Sequence, residues 1–177
     1  MNTFENYTGY ANPIDVFGKC YKSQPLKCIW SQPMVAFFNN STVKAQLHIP
    51  QAIQANPWIP CSTAENSEFN YTLNAAGSWW IYQNIIDSGY RILKYSGDAD
   101  SYVPTVGTQK WINELNWNVT KEWSPYFIPM SPTVKQVAGY YESRGNFTFA
   151  TVHGAGHMAA KQKKQQTFKA VFNFINQ

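Results

Sequence analysis

No stretch of this 177-residue sequence stays apolar for the about 20 residues that a membrane-spanning helix requires, so no membrane anchor is expected. The opening Met1-Asn-Thr-Phe-Glu-Asn lacks the positive start and hydrophobic segment of a secretory signal. Dense charge is also scarce. The formal net charge is +4, and the one basic run, Lys161-Gln-Lys163-Lys164, reads as the solvated face of the last helix. With no aromatic or glycine-rich RNA-binding motif beside it, nucleic acid is not an expected partner. His48, His153 and His157 form no His-Glu-x-x-His run or other tight ligand spacing, which argues against a zinc site, and no cofactor is expected. A Gly-x-Ser-x-Gly elbow is absent, as are internal repeats and low-complexity tracts. Cysteine is limited to Cys20, Cys28 and Cys61. What remains, 44% hydrophobic and 16% aromatic, suits a globular enzyme with a respectable core.

The most informative stretch is Arg91 to Pro104, Arg-Ile-Leu-Lys-Tyr-Ser-Gly-Asp-Ala-Asp-Ser-Tyr-Val-Pro. Ile92, Leu93 and Tyr95 make a short buried strand punctuated by Gly89 and Gly97. Thr108, Trp111, Ile112 and Leu115 then fall on one helical face. Strand, turn and helix is the layout of an open α/β sheet, where ligands gather beyond the carboxyl ends of the strands. Asp98 and Asp100 sit at such an end. A second unit of this kind closes the chain: Phe147, Phe149 and Val152 form a strand, Gly154-Ala-Gly156-His157-Met158 a turn, and Phe168, Val171, Phe172 and Ile175 one face of a helix. An Asp and a later His placed this way match the last two members of a Ser…Asp…His triad on an α/β-hydrolase sheet. A Gly-Asp-x-Asp turn also serves simply to cap a helix or close an Asx-turn.

In the rest of the chain, Pro13, Pro25 and Pro33 break any helical period, so residues 1–35 are expected to be irregular, and Cys20 and Cys28 lie close enough to close a short loop. Val43, Gln46 and Leu47 suggest a short helix ending near Pro50, and Trp79, Tyr82 and Ile86 one face of a longer helix ending at Ser88-Gly89. Ser124 to Pro132 is expected to be a surface excursion. Val134–Tyr141 and Phe147–Val152 are expected to form a hairpin around Ser143-Arg144-Gly145. Asn-x-Ser/Thr triplets begin at Asn6, Asn39, Asn40, Asn70, Asn118 and Asn146, and would be modified only in a secretory protein. Asn70 and Asn118 are the better candidates, since Asn146 opens a core strand.

Several motifs together resemble the serine carboxypeptidases, an α/β-hydrolase family. These are Tyr95-Ser-Gly-Asp-Ala-Asp100-Ser-Tyr-Val-Pro104 with Gly107-Thr-Gln-Lys-Trp111, Phe149-Ala-Thr-Val-His-Gly-Ala-Gly-His157-Met158, Asn12-Pro13-Ile-Asp15-Val-Phe-Gly-Lys-Cys20, Phe38-Asn-Asn-Ser-Thr-Val43 and Trp58-Ile-Pro-Cys61-Ser62. The resemblance spans about Asn12 to Phe174 and corresponds to the C-terminal portion of the family. It implies an α/β fold: residues 1–35 as the end of a cap insertion, and 36–177 as the C-terminal part of the hydrolase sheet with its flanking helices.

The resemblance further implies release of C-terminal residues from peptides, with His157 as general base and Asp100 as its orienter. Asp98 would stabilise the turn, and His153 would be a structural residue at a strand end. Met158 matches a residue beside the leaving-residue pocket, although hydrophobic packing explains it equally well. Ala159-Ala160-Lys161 departs from the family's usual Val-Pro with a nearby acidic residue. Cys20–Cys28 matches a disulfide of the family's cap. Cys61 would pair with a cysteine upstream of residue 1, or remain a buried thiol. The nucleophilic serine and a signal segment are likewise expected upstream, on a missing N-terminal part that would be this chain's partner. The expected compartment is the vacuole or lysosome, or the exterior. Alternatives are a small chain of a two-chain processed enzyme and a non-catalytic relative that binds peptides or another protein.

Overall fold

The computed structural model describes residues 11–12, 15–19, 32–59 and 77–176. The chain divides into two compact units, one of Met1–Lys19 with Ala76–Gln177 and one of Cys20–Ala75. In the second unit, α1 (Gln32–Asn39), α2 (Ser41–Gln46) and α3 (Gln51–Gln54) succeed one another closely. The Asn40 side chain accepts from the Thr42 and Val43 N–H groups, satisfying donors that the start of α2 leaves open. The buried Lys44 ammonium donates to the Gln54 and Asn56 carbonyls at 2.8 and 2.7 Å. Helix α1 begins within the segment expected to be irregular. So do β1 (Ala11–Asn12) and β2 (Asp15–Lys19), an antiparallel pair in the first unit.

The first unit continues with α4 (Trp79–Asp87), β3 (Ile92–Gly97), α5 (Thr105–Glu114), β4 (Lys121–Pro129), β5 (Lys135–Arg144), β6 (Phe147–Val152), α6 (Ala159–Gln162) and α7 (Lys164–Ile175). Four strands form a sheet in the order β3-β6-β5-β4, with β3 parallel to β6 and the other pairs antiparallel. Every residue of β6 is buried, as a strand covered on both faces requires. Phe147 and Phe149 face one layer, where Ile112 of α5 and Tyr82 and Ile86 of α4 cover them. Ala150 faces the other, against Tyr126, Ile128, Ala138 and Ala170 of α7. Burying each such phenylalanine contributes roughly 2–3 kcal/mol.

The expected faces of α4 and α5 largely hold. Thr108 and Ile112 are buried and Trp111 stacks on Tyr82, with ring centroids 5.1 Å apart, whereas Trp79 is exposed in the first turn of α4. Two expectations change. Ser124 to Pro132 is not an excursion, because Lys121–Pro129 is strand β4. β4 lies at the sheet edge, where Pro125 removes no needed ladder bond, and Tyr126 and Ile128 alternate inward. The apolar stripe of α7 is also not its buried face: Thr167 and Ala170 point inward, while Phe168 is 68% exposed and Phe172 and Ile175 are exposed beside it. The small Ala170 lets α7 sit close to the sheet, and its long apolar side chains turn outward.

The β3–β6 register brings the two strand ends together. Ile92 pairs with Phe147 and Gly97 with Val152, so the parallel strands stop level and their turns start side by side. Within β3 the even-numbered residues bond to β6, as Ile92 N–H donating to Asn146 O and Asp98 N–H to Val152 O indicate. The backbone groups of Leu93, Tyr95 and Gly97 therefore point to the open edge, where Gly97 O accepts the Thr105 hydroxyl at 3.0 Å. A side chain at Gly97 would run into the backbone carbonyls of Ala155 and Gly156. Gly97→Ala is expected to wedge the turns apart and destabilise the fold by about 1–3 kcal/mol. Thermal unfolding checks this: an unchanged midpoint would mean that the close approach costs nothing to relieve.

Candidate functional site

β3 runs into an acidic turn and β6 into a histidine turn, and the backbone joins the turns before any side chain does: Ala99 N–H donates to Ala155 O at 2.8 Å. Two Asp–His pairs then lie in parallel. Asp100 Oδ2 is 2.9 Å from His157 Nδ1, and Asp98 Oδ2 is 2.7 Å from His153 Nδ1.

The two oxygens of Asp100 make different contacts. Its Oδ1 accepts from the N–H groups of Tyr102 and Val103 at 2.8 and 3.2 Å, closing an Asx-type turn, while Oδ2 holds the imidazole. Its side chain is 5% exposed and that of His157 is 47% exposed, so the carboxylate is sealed in and the ring reaches solvent. An ionised carboxylate only accepts, so this bond puts the proton of neutral His157 on Nδ1 and leaves the Nε2 lone pair available. The Tyr102 ring meets the His157 ring edge-on at 6.1 Å.

The second pair lies beside the first and is more exposed. Asp98 Oδ1 accepts Gly154 N–H at 2.6 Å, so one carboxylate bridges the first two residues of the histidine turn. Gly154 has φ +71°, a conformation that favours glycine. At the far side of the turn Gly156 N–H donates to Gln162 Oε1 at 2.8 Å, and Gln162 Nε2 donates to Asp15 Oδ2 at 2.9 Å. Neither Gln162 nor Asp15 was a candidate in the sequence, because such a long-range amide relay leaves no local motif. The spacing of Asp98 to Asp100 beside His153 to His157 was visible, but not the pairing. Nearby, Tyr126 donates its buried hydroxyl to Thr151 O at 2.8 Å. Burial, and then the Asp98 charge, push that phenol well above its ordinary range.

A cavity of about 350 Å³ runs along the open edge of β3, from Leu93 and Tyr95 past Gly97 to Asp100, Val103 and His157. Ser96 also lines it, but its hydroxyl lies 2.9 Å from Thr105 Oγ1 and it sits within the strand rather than on an elbow. Met158 comes after His157 as the half-buried cap of α6 and is not among the described residues lining the cavity. Cys20, Cys28 and Cys61 lie outside the described residues. Among the described residues no three His, Cys, Asp or Glu side chains converge as a metal site, and no helix is long and apolar enough to cross a membrane.

Comparison with known proteins gives a consistent result. The family model described as serine carboxypeptidase matches residues 3–177. Serine carboxypeptidase-like 13 of Arabidopsis thaliana is 34% identical over 82% of this chain and 32% of its own length. Serine carboxypeptidase-like 11 of the same plant is 33% identical over 99% of this chain and 39% of its own length. The chain thus spans about a third of the length of the curated relatives it matches. Among solved structures, Kex1(delta)p, a prohormone-processing carboxypeptidase from Saccharomyces cerevisiae, superposes with a TM-score of 0.67 at 20% identity, over 94% of this chain and 36% of its own. That likeness shows an α/β-hydrolase fold.

Two outcomes are expected from the geometry. Asp98→Ala removes two hydrogen bonds to one carboxylate and should cost about 2 kcal/mol in unfolding free energy, read by chemical denaturation; a change below 0.5 kcal/mol, on the order of an ordinary surface substitution, would count against the bridge. Tyr126 is expected to ionise well above the ordinary tyrosine range in an alkaline absorbance titration. Below the unfolded value of about 10 both states keep the proton and its contribution is full. Above that the unfolded chain releases it first, so stability falls as pH rises. A Tyr126→Phe variant with the same alkaline limb of the stability curve would contradict this.

Proposed function

The chain belongs to the serine carboxypeptidase family, hydrolases by kind, and on that premise we propose that it carries the general base and the orienting acid of a Ser-His-Asp triad that releases C-terminal residues from peptides. The observation that carries this is the 2.9 Å bond between buried Asp100 and solvent-reaching His157. A serine hydroxyl is a weak nucleophile until a base takes its proton. His157 Nε2 takes it as the serine attacks the scissile carbonyl, and Asp100 stabilises the imidazolium that forms. The same Nε2 then delivers the proton to the departing amine, and repeats the cycle on a water that frees the acyl group.

The serine and the oxyanion donors come from the N-terminal part of the same enzyme, which is the partner of this chain. Its place is the open edge of β3. Backbone groups of Leu93 and Tyr95 point there, and the cavity beside them leads directly to Asp100 and His157. A further parallel strand would lie about 4.8 Å from β3. Met158, next in the chain after the base, is proposed to contact the leaving residue. Cys61 is proposed to link to the N-terminal part, and Cys20 to Cys28. Sequons and cysteines together support passage through the secretory route to a vacuole, a lysosome or the exterior.

A fluorophosphonate probe tests the triad. The full-length protein is expected to be labelled, and this 177-residue chain alone is not. In the full-length protein His157→Ala and Asp100→Asn are each expected to lower kcat by about 10⁴. Peptidase activity within tenfold of the parent in either variant would remove that residue from the mechanism.

A further inference from the structure

On the side of the first unit formed by α4, the end of α5 and the tip of the β5–β6 hairpin lies a second groove, of about 420 Å³. Gln83, Ile86, Trp117, Asn118, Arg144 and Asn146 line it. Two of the six Asn-x-Ser/Thr triplets of the sequence, those at Asn118 and Asn146, therefore share one groove.

The described triplets are not equivalent. Both amide hydrogens of Asn39 are committed, to Val35 O at 2.9 Å and Trp58 O at 2.8 Å, so a sugar on Asn39 would break one of these bonds. Asn40 holds its carboxamide over the start of α2 as a cap. Asn118 and Asn146 are exposed and their side chains make no hydrogen bond among the described residues. The Asn146 triplet, however, continues into the strand: Phe147 is fully buried and Thr148 Oγ1 lies 3.2 Å from Ser143 Oγ inside the hairpin. A hairpin closes within about 1–10 μs, which withdraws that triplet early. Asn118, Val119 and Thr120 are all exposed, in the loop between α5 and β4, although the Thr120 hydroxyl donates to Ser143 O at 3.1 Å and accepts from Gly145 N–H at 3.0 Å.

The residues around Asn118 are also tied down by hydrogen bonds. Arg144 bonds to Ile112 O, Trp117 O and the Asn113 side chain, and Glu142 secures Arg144 at 2.7 Å. Trp117 donates its Nε1–H to Gln83 Oε1 at 2.7 Å, which fixes the indole within the groove immediately before Asn118. An aromatic plate with a satisfied polar tip suits the C–H face of a pyranose ring.

We infer that Asn118 is an N-glycosylation site and that the groove between Trp117 and the β5–β6 turn seats the first N-acetylglucosamine of its glycan. The donor is a lipid-pyrophosphate-linked oligosaccharide. Asn118 Nδ2 forms a bond to the anomeric carbon, the bond from that carbon to the pyrophosphate oxygen breaks, the amide gives up one proton, and the lipid pyrophosphate leaves. This site rests on the secretory route proposed above and is independent of the Asp100–His157 pair.

The test is peptide mapping of the full-length protein secreted from a eukaryotic host. Trypsin separates the two triplets, onto peptides 111–121 and 145–161. The glycan is expected on 111–121, with 145–161 bare. A bare 111–121, or a glycan on 145–161 in its place, overturns the site. If every triplet is bare, the secretory route falls with it, whereas the triad is judged separately by probe labelling. For the seat, the form trimmed to one sugar is expected to melt about 1 °C above the sugar-free form, the shift given by roughly 1 kcal/mol in a protein about three times the length of this chain. That difference should vanish in Trp117→Leu. Equal midpoints in the parent protein overturn the seat.

Discussion

The site depends on the close backbone approach of two turns. β3 and β6 are parallel and end in register, so Asp98 N–H donates to Val152 O and Ala99 N–H to Ala155 O before either turn has diverged. Only a residue without a Cβ fits at position 97. A Gly there lets the acidic turn lie against the histidine turn, and the side chains then have short distances to cover. The placement of the two Asp–His pairs is therefore set by the main chain, with side chains adding direction and charge.

The two carboxylates divide the work according to burial. Asp98, 32% exposed, spends both oxygens on the start of the histidine turn, and a solvent-facing bridge of this kind is a tether. Asp100 sits deeper and has one oxygen satisfied by backbone N–H groups, so its other oxygen has one imidazole to face. An orienting acid that was itself free to rotate would fix no tautomer. Its Asx-turn bonds are what would make it a usable orienter in the proposed mechanism.

Local pattern made much of this legible in the sequence. The short run Ile92–Tyr95, the helical spacing of Thr108 and Ile112, and the two strand-end turns are all present in the fold, because glycine punctuation and periodicity report directly on backbone. The family was likewise readable from those turns. What stayed hidden depends on neighbours. β4 was obscured by Pro125 and Pro129, which a central strand would not accept but an edge strand does. The outward turn of Phe168 and Phe172 could not be read from helical spacing, since a moment shows where an apolar stripe is and not which side another element covers. The pairing of Asp98 with His153 needed the register of β3 on β6, a relation between residues 55 positions apart.

The open edge of β3 and the outward aromatics of α7 give the chain's surface a common logic. An edge strand usually avoids mispairing by being short, charged or interrupted by proline. β4 has such protection in Pro125 and Pro129; β3 carries only Lys94, on the strand that leads to Asp100. Phe168 and Phe172 stack on each other in solvent, with ring centroids 5.7 Å apart. Large apolar groups collected on one helix face mark an interaction surface far more often than a finished exterior. Among the described residues the edge bordering Asp100 and His157 lacks the proline guard of β4, the distribution expected of a sheet that continues past β3. Under the function proposed above, the segment that covers this edge would also bring the serine to Asp100 and His157.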